Sequence, residues 1–195
     1  MAYLRISEAR AAGQAARFRV SKTASQILTE DARRFSPTSH YDVFLSHSYQ
    51  DADAIHGVRS IMESHGLAVY VDWIDDATLD RTKVSAKTAQ VLRERMSTSS
   101  CLVYAHSANA SQSVWMPWEL GYFDALKPRH VWILPLVSDS DTEYRGQEYL
   151  GLYPPLEKIS TLSQQLDLGF LNIGEQRSSI PLSKAASGSG VYFTG

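Results

Sequence analysis

Five short apolar runs, each with the length of a β-strand, are spaced along the chain, and this spacing constrains the fold more than any other feature. They lie at residues 41–45, 67–73, 101–105, 130–137 and 168–173. Helical patterns separate the first four runs. Apolar strands separated by helices are typical of a parallel sheet whose two faces are both covered. The sequence therefore predicts an α/β fold with a parallel sheet and helices on both faces.

The helical segments between the runs are recognised by apolar residues that share one face. One helix carries Ile55, Val58, Ile61 and Met62 and is ended by Gly66, because glycine readily adopts the left-handed conformation found after a helix. A second helix is expected over residues 84–96. A third opens at Pro117, which fits only the first turn, where its missing N–H is not needed. Residues 138–165 are expected to form loops and a short helix.

The N-terminal residues differ from the rest of the chain. Seven basic residues outnumber three acidic ones before residue 37. Segments 7–16 and 25–34 favour helix, so we expect a helical extension packed on the main domain rather than a nucleic-acid-binding arm. The predicted organisation is an extension over 1–37, a main domain over 38–175 and a Gly/Ser-rich tail over 176–195.

Composition excludes several classes of function. A net charge of −2 gives no reason to expect nucleic acid or an anionic membrane as the main partner. The single cysteine, Cys101, rules out an intrachain disulfide and is typical of a reducing compartment. No apolar run approaches the length of a membrane span. We therefore expect a cytoplasmic protein without a nucleic-acid or membrane partner.

An indole and a carboxylate are placed together at the start of the third helix. Trp115 and Glu119 are four residues apart and lie one turn above each other on a helix. Because the helix follows a buried strand, both residues stand at the carboxyl edge of the sheet, where ligands bind in open α/β folds. The alternative is that Trp115 is a core aromatic and Glu119 a solvated first-turn residue favoured by the helix dipole.

Three motifs in this order resemble the Toll/interleukin-1 receptor (TIR) domain. They are Asp42–Ser48 followed by Asp51, then Gly66–Asp72, then Ser113–Leu120. The resemblance covers roughly residues 40–175 and implies a flavodoxin-like fold with five parallel strands.

The resemblance also implies an activity. Bacterial members of the family include enzymes that cleave NAD+, among them the signal-producing subunits of Thoeris-type antiphage systems. Their catalytic glutamate lies in a W-x-x-x-E pattern, which Trp115 to Glu119 matches. The resemblance thus implies an NAD+ glycohydrolase or cyclase that gives ADP-ribose or a cyclic ADP-ribose-type signal. It also implies self-association, and an effector protein that receives the nucleotide signal.

Cleavage of NAD+ between nicotinamide and ribose makes modest demands on an enzyme. Nicotinamide leaves as a neutral molecule, so no general acid is needed, and positive charge develops on the ribose. One carboxylate near the sugar and one aromatic face near a ring are sufficient. Glu119 is the candidate for the first role and Trp115 for the second. NAD+ is then the substrate, and neither a cofactor nor a metal is expected.

Further substrate-binding candidates follow the first two strands. They are Ser46, His47, Ser48, Asp72 and Trp73. Hydroxyl and backbone N–H groups ahead of a helix suit phosphate or ribose oxygens. The alternatives are that Ser48 or Asp51 caps the next helix and that His47 is a packing residue.

Two other functions remain compatible with the sequence. The main alternative is a non-catalytic TIR interaction module, and a less favoured one is an enzyme resembling nucleoside deoxyribosyltransferases. A phosphoacceptor receiver domain is disfavoured, because residues 105–107 lack an aspartate at the end of the third strand.

Overall fold

A computed structural model describes residues 3–19, 40–76, 84–141, 143–160, 166–172 and 178–186. The strands are β1 (Leu4–Arg5), β2 (Tyr41–Ser46), β3 (Val69–Tyr70), β4 (Ser99–His106), β5 (Val131–Val137), β6 (Glu157–Ser160), β7 (Leu166–Asn172) and β8 (Ser178–Pro181). The α-helices are α1 (Ile6–Arg19), α2 (Ala52–Ser64), α3 (Asp72–Asp75), α4 (Ala86–Ser97), α5 (Met116–Leu126) and α6 (Leu182–Ala186). Short 3-10 turns span Tyr49–Asp51, Ala110–Gln112 and Glu148–Leu152. Across the described ranges no helix is long and apolar enough to cross a membrane.

The main sheet has five strands in the order β1-β5-β4-β2-β3, and every pairing is parallel. This confirms the predicted five-stranded parallel sheet. Adjacent strands align so that Ser46 lies opposite Tyr104 and His106 lies opposite Pro135. The carboxyl ends of β2, β4 and β5 therefore meet at one edge, where the candidate residues of the first and third motifs lie.

The prediction of which segment forms the fifth parallel strand was wrong. Residues 166–172 belong to a separate antiparallel sheet of order β6-β7-β8, and Leu4 of β1 pairs instead with Leu136 of β5. The physical reason is a nearer partner, β6, in a segment that the sequence predicted as loops and a short helix. Only five residues separate β6 from β7, which suits a hairpin, whereas a parallel neighbour needs a crossover of about a dozen residues or more.

The sheet separates two apolar clusters, as expected when both faces are covered. Alternate residues of a strand point to opposite faces, so Val43 and Leu45 join one cluster while Phe44 joins the other. Helices α1 and α2 contribute to the first cluster, and α4 and α5 to the second. The face covered by α5 is the one that carries the candidate catalytic motif.

Helix α1 packs directly against α2 through glycine. A Cβ atom at Gly57 would overlap the carbonyl oxygen of Ala9, and one at Gly13 would lie 3.1 Å from the backbone nitrogen of Gly57. The Ala-rich part of the predicted extension is therefore a layer of this face of the sheet. The second predicted helix, at 25–34, and the end of the tail lie outside the described residues, and the domain boundaries stay predictions.

Replacing Gly57 by Ala is expected to destabilise the protein by about 1–3 kcal/mol, because the methyl group would push the two helix backbones apart. The free energy of unfolding, measured by urea denaturation, tests this. Gly121→Ala is the matched control, since a Cβ there meets nothing within 4 Å and alanine is favoured in helices. Equal stability of Gly57→Ala and wild type would contradict the packing described.

Candidate active site

A buried hydroxyl–carboxylate pair lies at the carboxyl edge of the sheet. Ser46 ends β2, and Glu119 lies in the first turn of α5, where its backbone N–H donates to the carbonyl of Trp115 at 2.8 Å. The Ser46 hydroxyl donates to Oε2 of Glu119 at 2.6 Å. This distance is in the range of charge-assisted O–H···O bonds. Both residues have 0% of their surface exposed, so a substrate reaches the carboxylate only when neighbouring groups move.

Tyr104 is a third polar group at this position that the sequence did not single out. It lies opposite Ser46 in the neighbouring strand β4. Burial raises the pKa of its hydroxyl above the usual range, and the hydroxyl of Tyr149 and the Glu119 carboxylate add to the rise. Tyr104 therefore remains a protonated donor near the carboxylate at neutral pH. Tyr104 is identified by the register between β2 and β4, and the register of two strands cannot be determined from a single sequence.

Trp115 precedes α5 and is buried, with 5% of its surface exposed. Its ring meets that of Trp118 edge to face, with centroids 5.5 Å apart. Trp118 is only partly buried and stacks on Tyr122, with the Arg93 guanidinium 5.3 Å from its ring. Of the two indoles Trp115 is the more deeply buried, in line with the alternative that it is a core aromatic. Stacking of Trp115 on a substrate ring stays a prediction.

The candidates after β2 and β3 form a second group. The indole N–H of Trp73 donates to Nε2 of His47 at 2.9 Å, so this nitrogen is an acceptor and the ring proton is assigned to Nδ1. Nδ1 then donates to the carbonyl of Leu45 at 2.8 Å. Oδ1 of Asp72 accepts from the backbone N–H of Trp73 at 2.8 Å and lies 3.3 Å from His47 Nε2. His47 thus joins the loop after β2 to the start of the loop after β3.

Ser48 and Asp51 shape the loop that follows Ser46. The Ser48 hydroxyl accepts from the backbone N–H of Gln50 at 3.4 Å and caps the 3-10 turn. Asp51 makes no side-chain cap to α2. Its carboxylate instead accepts from the hydroxyl of Ser107 at 2.5 Å and from the amide of Asn109 at 2.7 Å. Of the two cap candidates, Ser48 therefore caps the 3-10 turn that leads into α2, while Asp51 ties together the loops after β2 and β4.

Two aspartates anchor the base of the loop after β3. Asp75 is buried and receives both terminal nitrogens of Arg59 at 3.2 Å. Asp76 accepts from Arg95 at 2.8 and 2.9 Å and from the Tyr70 hydroxyl at 2.9 Å. Burial alone would raise the pKa of Asp76, but these donors hold it below its usual range. Residues 77–83 of this loop, with Arg81, lie outside the described residues.

Comparison with known proteins identifies one matching family and two similar bacterial proteins. The family model described as "TIR domain" matches residues 43–163. The chain is 49% identical over 142 residues to "Probable 3' cyclic ADP-D-ribose synthase ThsB'" of Bacillus cereus (strain MSX-D12), which covers 72% of this chain and 73% of that protein. It is 36% identical over 83 residues to "Putative cyclic ADP-D-ribose synthase TIR2" of Cytobacillus dafuensis, which covers 42% of this chain and 22% of that longer protein.

Proposed function

The chain belongs to the TIR domain family, and we propose that it cleaves NAD+ at the nicotinamide–ribose bond and closes the ADP-ribosyl group into a cyclic ADP-ribose-type signal. The observation that carries this proposal is the buried Ser46–Glu119 pair at the carboxyl edge of the sheet. The names of both relatives, which describe cyclic ADP-ribose synthesis, support the same reaction class.

The chemistry follows from what the pair can do. When the C–N bond breaks, both of its electrons leave with nicotinamide, and the ribose carbon becomes cationic. The Glu119 carboxylate stabilises this charge and holds ribose hydroxyls, while the Ser46 hydroxyl fixes the orientation of the carboxylate. Burial strengthens this stabilisation, because little water screens it. Capture of the cation by a nucleophile within the same ADP-ribosyl group, with loss of one proton, closes the ring without added water.

The first test is incubation of the purified chain with NAD+ while nicotinamide release is followed by chromatography. Release that depends on the protein supports an enzyme. Intact NAD+ at every protein concentration would favour the rival function, a TIR interaction module without catalysis.

We further propose that catalysis requires self-association. The fully buried carboxylate needs an opening that neighbouring groups must provide, and a contact between copies can supply the rearrangement that opens it. Specific activity is then expected to rise with protein concentration, in step with the molar mass measured by light scattering. Full specific activity in a sample diluted to a proven monomer would contradict this.

Variants used to test self-association should leave Asp75 and Asp76, at the base of the loop after β3, unchanged. Substitution of Asp75 or Asp76 would break ion pairs with Arg59 and Arg95 within one chain. A loss of activity in such variants could therefore come either from a destabilised fold or from a lost contact between copies. Dilution of the unaltered protein avoids this ambiguity.

The proposed biological role is production of a nucleotide signal in antiphage defence in the cytoplasm, with an effector protein as the receiver of the signal. NAD+ is the substrate in this proposal, and the reaction needs no resident cofactor. The receiver is testable by adding the filtered reaction product to a candidate effector and measuring its activity. The filtered reaction mixture of the Glu119→Gln variant, which should contain almost no product, serves as the control.

A further inference from the structure

A cavity lies at the same edge of the sheet, one strand away from the Ser46–Glu119 pair. It has a volume of about 450 Å³ and is bordered by the ends of β4 and β5 and by the loop that follows β5. His106, Leu136, Asp141, Glu143, Tyr144 and Arg145 are among its lining residues. A cavity of this size is in the range of small-molecule sites. None of these residues has a role in the chemistry assigned to Glu119.

Aromatic rings form one wall of the cavity. His106 meets Tyr144 edge to face at 5.4 Å and stacks on Tyr104 at 6.2 Å. Tyr144 is also met edge to face by Tyr3 at 5.8 Å, so its ring is supported from two sides. Its hydroxyl is buried and has no hydrogen-bond partner among the described residues. Fixed rings beside an unsatisfied hydroxyl are typical of a site that another molecule completes.

The charges at the cavity favour a neutral group over a phosphate chain. Asp141 and Glu143 contribute two carboxylates, and Arg145 contributes one cation, whose 3.6 Å pair with Glu143 is exposed and therefore weak. Burial lowers the pKa of His106, so its imidazole is neutral at pH 7 and adds no positive charge. Carboxylates are good partners for the vicinal hydroxyls of ribose, as in dinucleotide-binding folds. A heteroaromatic base carried on ribose fits this set of groups.

The cavity lies at a distance from Glu119 that suits the second half of a dinucleotide. Tyr104 lies opposite Ser46, and His106 follows it by two residues on the same strand. One inter-strand spacing combined with two residues along a strand separates Ser46 from His106 by roughly 8 Å at the backbone. A pyrophosphate bridge between two riboses reaches across such a separation.

We propose that this cavity binds the adenosine half of the dinucleotide whose nicotinamide end is cleaved at Glu119, with the base against Tyr144 and the ribose hydroxyls toward Asp141 and Glu143. The inference rests on the proposed function and names the part of the chain that recognises the half of the substrate that does not react.

The test is calorimetric titration of adenosine into the Glu119→Gln protein, which separates binding from turnover. Adenosine is expected to bind, and a second substitution, Tyr144→Ala, is expected to weaken binding roughly tenfold or more, because base–aromatic stacking is lost. Tyr144→Phe keeps the ring and should weaken binding less. In the otherwise unaltered protein, Tyr144→Ala should raise the KM for NAD+ while kcat changes little.

Two further variants keep the test decisive. Leu152→Ala alters a large apolar side chain that is 79% exposed and does not line the cavity, and it should bind adenosine as the parent does. If Tyr144→Ala fails to fold, Gly146→Ala replaces it, because a Cβ there would displace the end of the Tyr144 side chain. No adenosine binding, or equal binding with and without the Tyr144 ring, overturns the assignment. Nicotinamide release by the wild-type protein is measured separately. A failure of the adenosine site can therefore be distinguished from a failure of the proposed NAD+ cleavage.

Discussion

Replacing Glu119 by Gln is expected to lower the rate of nicotinamide release from NAD+ by about a hundredfold or more while the fold persists. The reason is that glutamine keeps the shape of the side chain but removes the negative charge that stabilises the cationic ribose. Its amide oxygen can still accept from the Ser46 hydroxyl, which donates at 2.6 Å to the carboxylate in the unaltered protein. The measurement is single-turnover nicotinamide release, with the melting temperature recorded for the same samples.

The matched control is Glu94→Gln, the same chemical change on the exposed face of α4. It should leave the rate unaltered. Ser46→Ala should lower the rate less than Glu119→Gln, because the carboxylate stays in place and loses only an orienting donor. A folded Glu119→Gln protein that releases nicotinamide at the wild-type rate would remove Glu119 from the mechanism.

Replacing Trp115 by Ala is expected to reduce the free energy of unfolding by roughly 3–5 kcal/mol, the usual cost of truncating a large buried aromatic side chain. Trp115 belongs to the apolar cluster beneath α5, and only 5% of its surface is exposed. Because a domain of this size has a total stability of about 5–15 kcal/mol, the loss should be visible as an early urea transition.

Trp118→Ala is the control, since it removes the same side chain three positions later on the partly exposed face. It should reduce the free energy of unfolding less than Trp115→Ala does. The lost ring contacts with Tyr122 and Trp115 cost about 0.5–1.5 kcal/mol, and the smaller buried area of Trp118 adds a smaller hydrophobic contribution. If Trp115→Ala instead kept the wild-type unfolding curve and lost turnover, the indole would be a substrate contact, the role for which the chemistry of NAD+ cleavage makes it a candidate.

The sequence predicted the parts of the fold that leave a periodic or local signal. The buried strands β2, β4 and β5 are apolar runs, and the turn after α2 is marked by Gly66, whose φ of 82° lies in the left-handed region. Pro117 marked the first turn of α5, which placed Glu119 at the carboxyl edge. These predictions depend on residues that are close in sequence, and the structure agrees with each of them.

The remaining parts depend on contacts between distant segments. Strand β1 contains only Leu4 and Arg5, which is too short for any pattern, and it exists because β5 offers an unpaired edge. The Ser46–Glu119 bond joins residues 73 positions apart, and the cavity at His106 and Tyr144 joins the ends of two strands to a loop. The ion pairs of the buried Asp75 and the partly buried Asp76 likewise depend on arginines of two different helices.

Mass spectrometry of the products from NAD+, quantified together with the nicotinamide released, tests the central claim most directly. The account predicts one ADP-ribosyl product per nicotinamide, lighter than linear ADP-ribose by one water, from the wild-type protein, and almost none from Glu119→Gln. The sample should be tested at several protein concentrations, since assembly is proposed to activate it. NAD+ that stays intact at every concentration, or the same product from both proteins, would contradict the account.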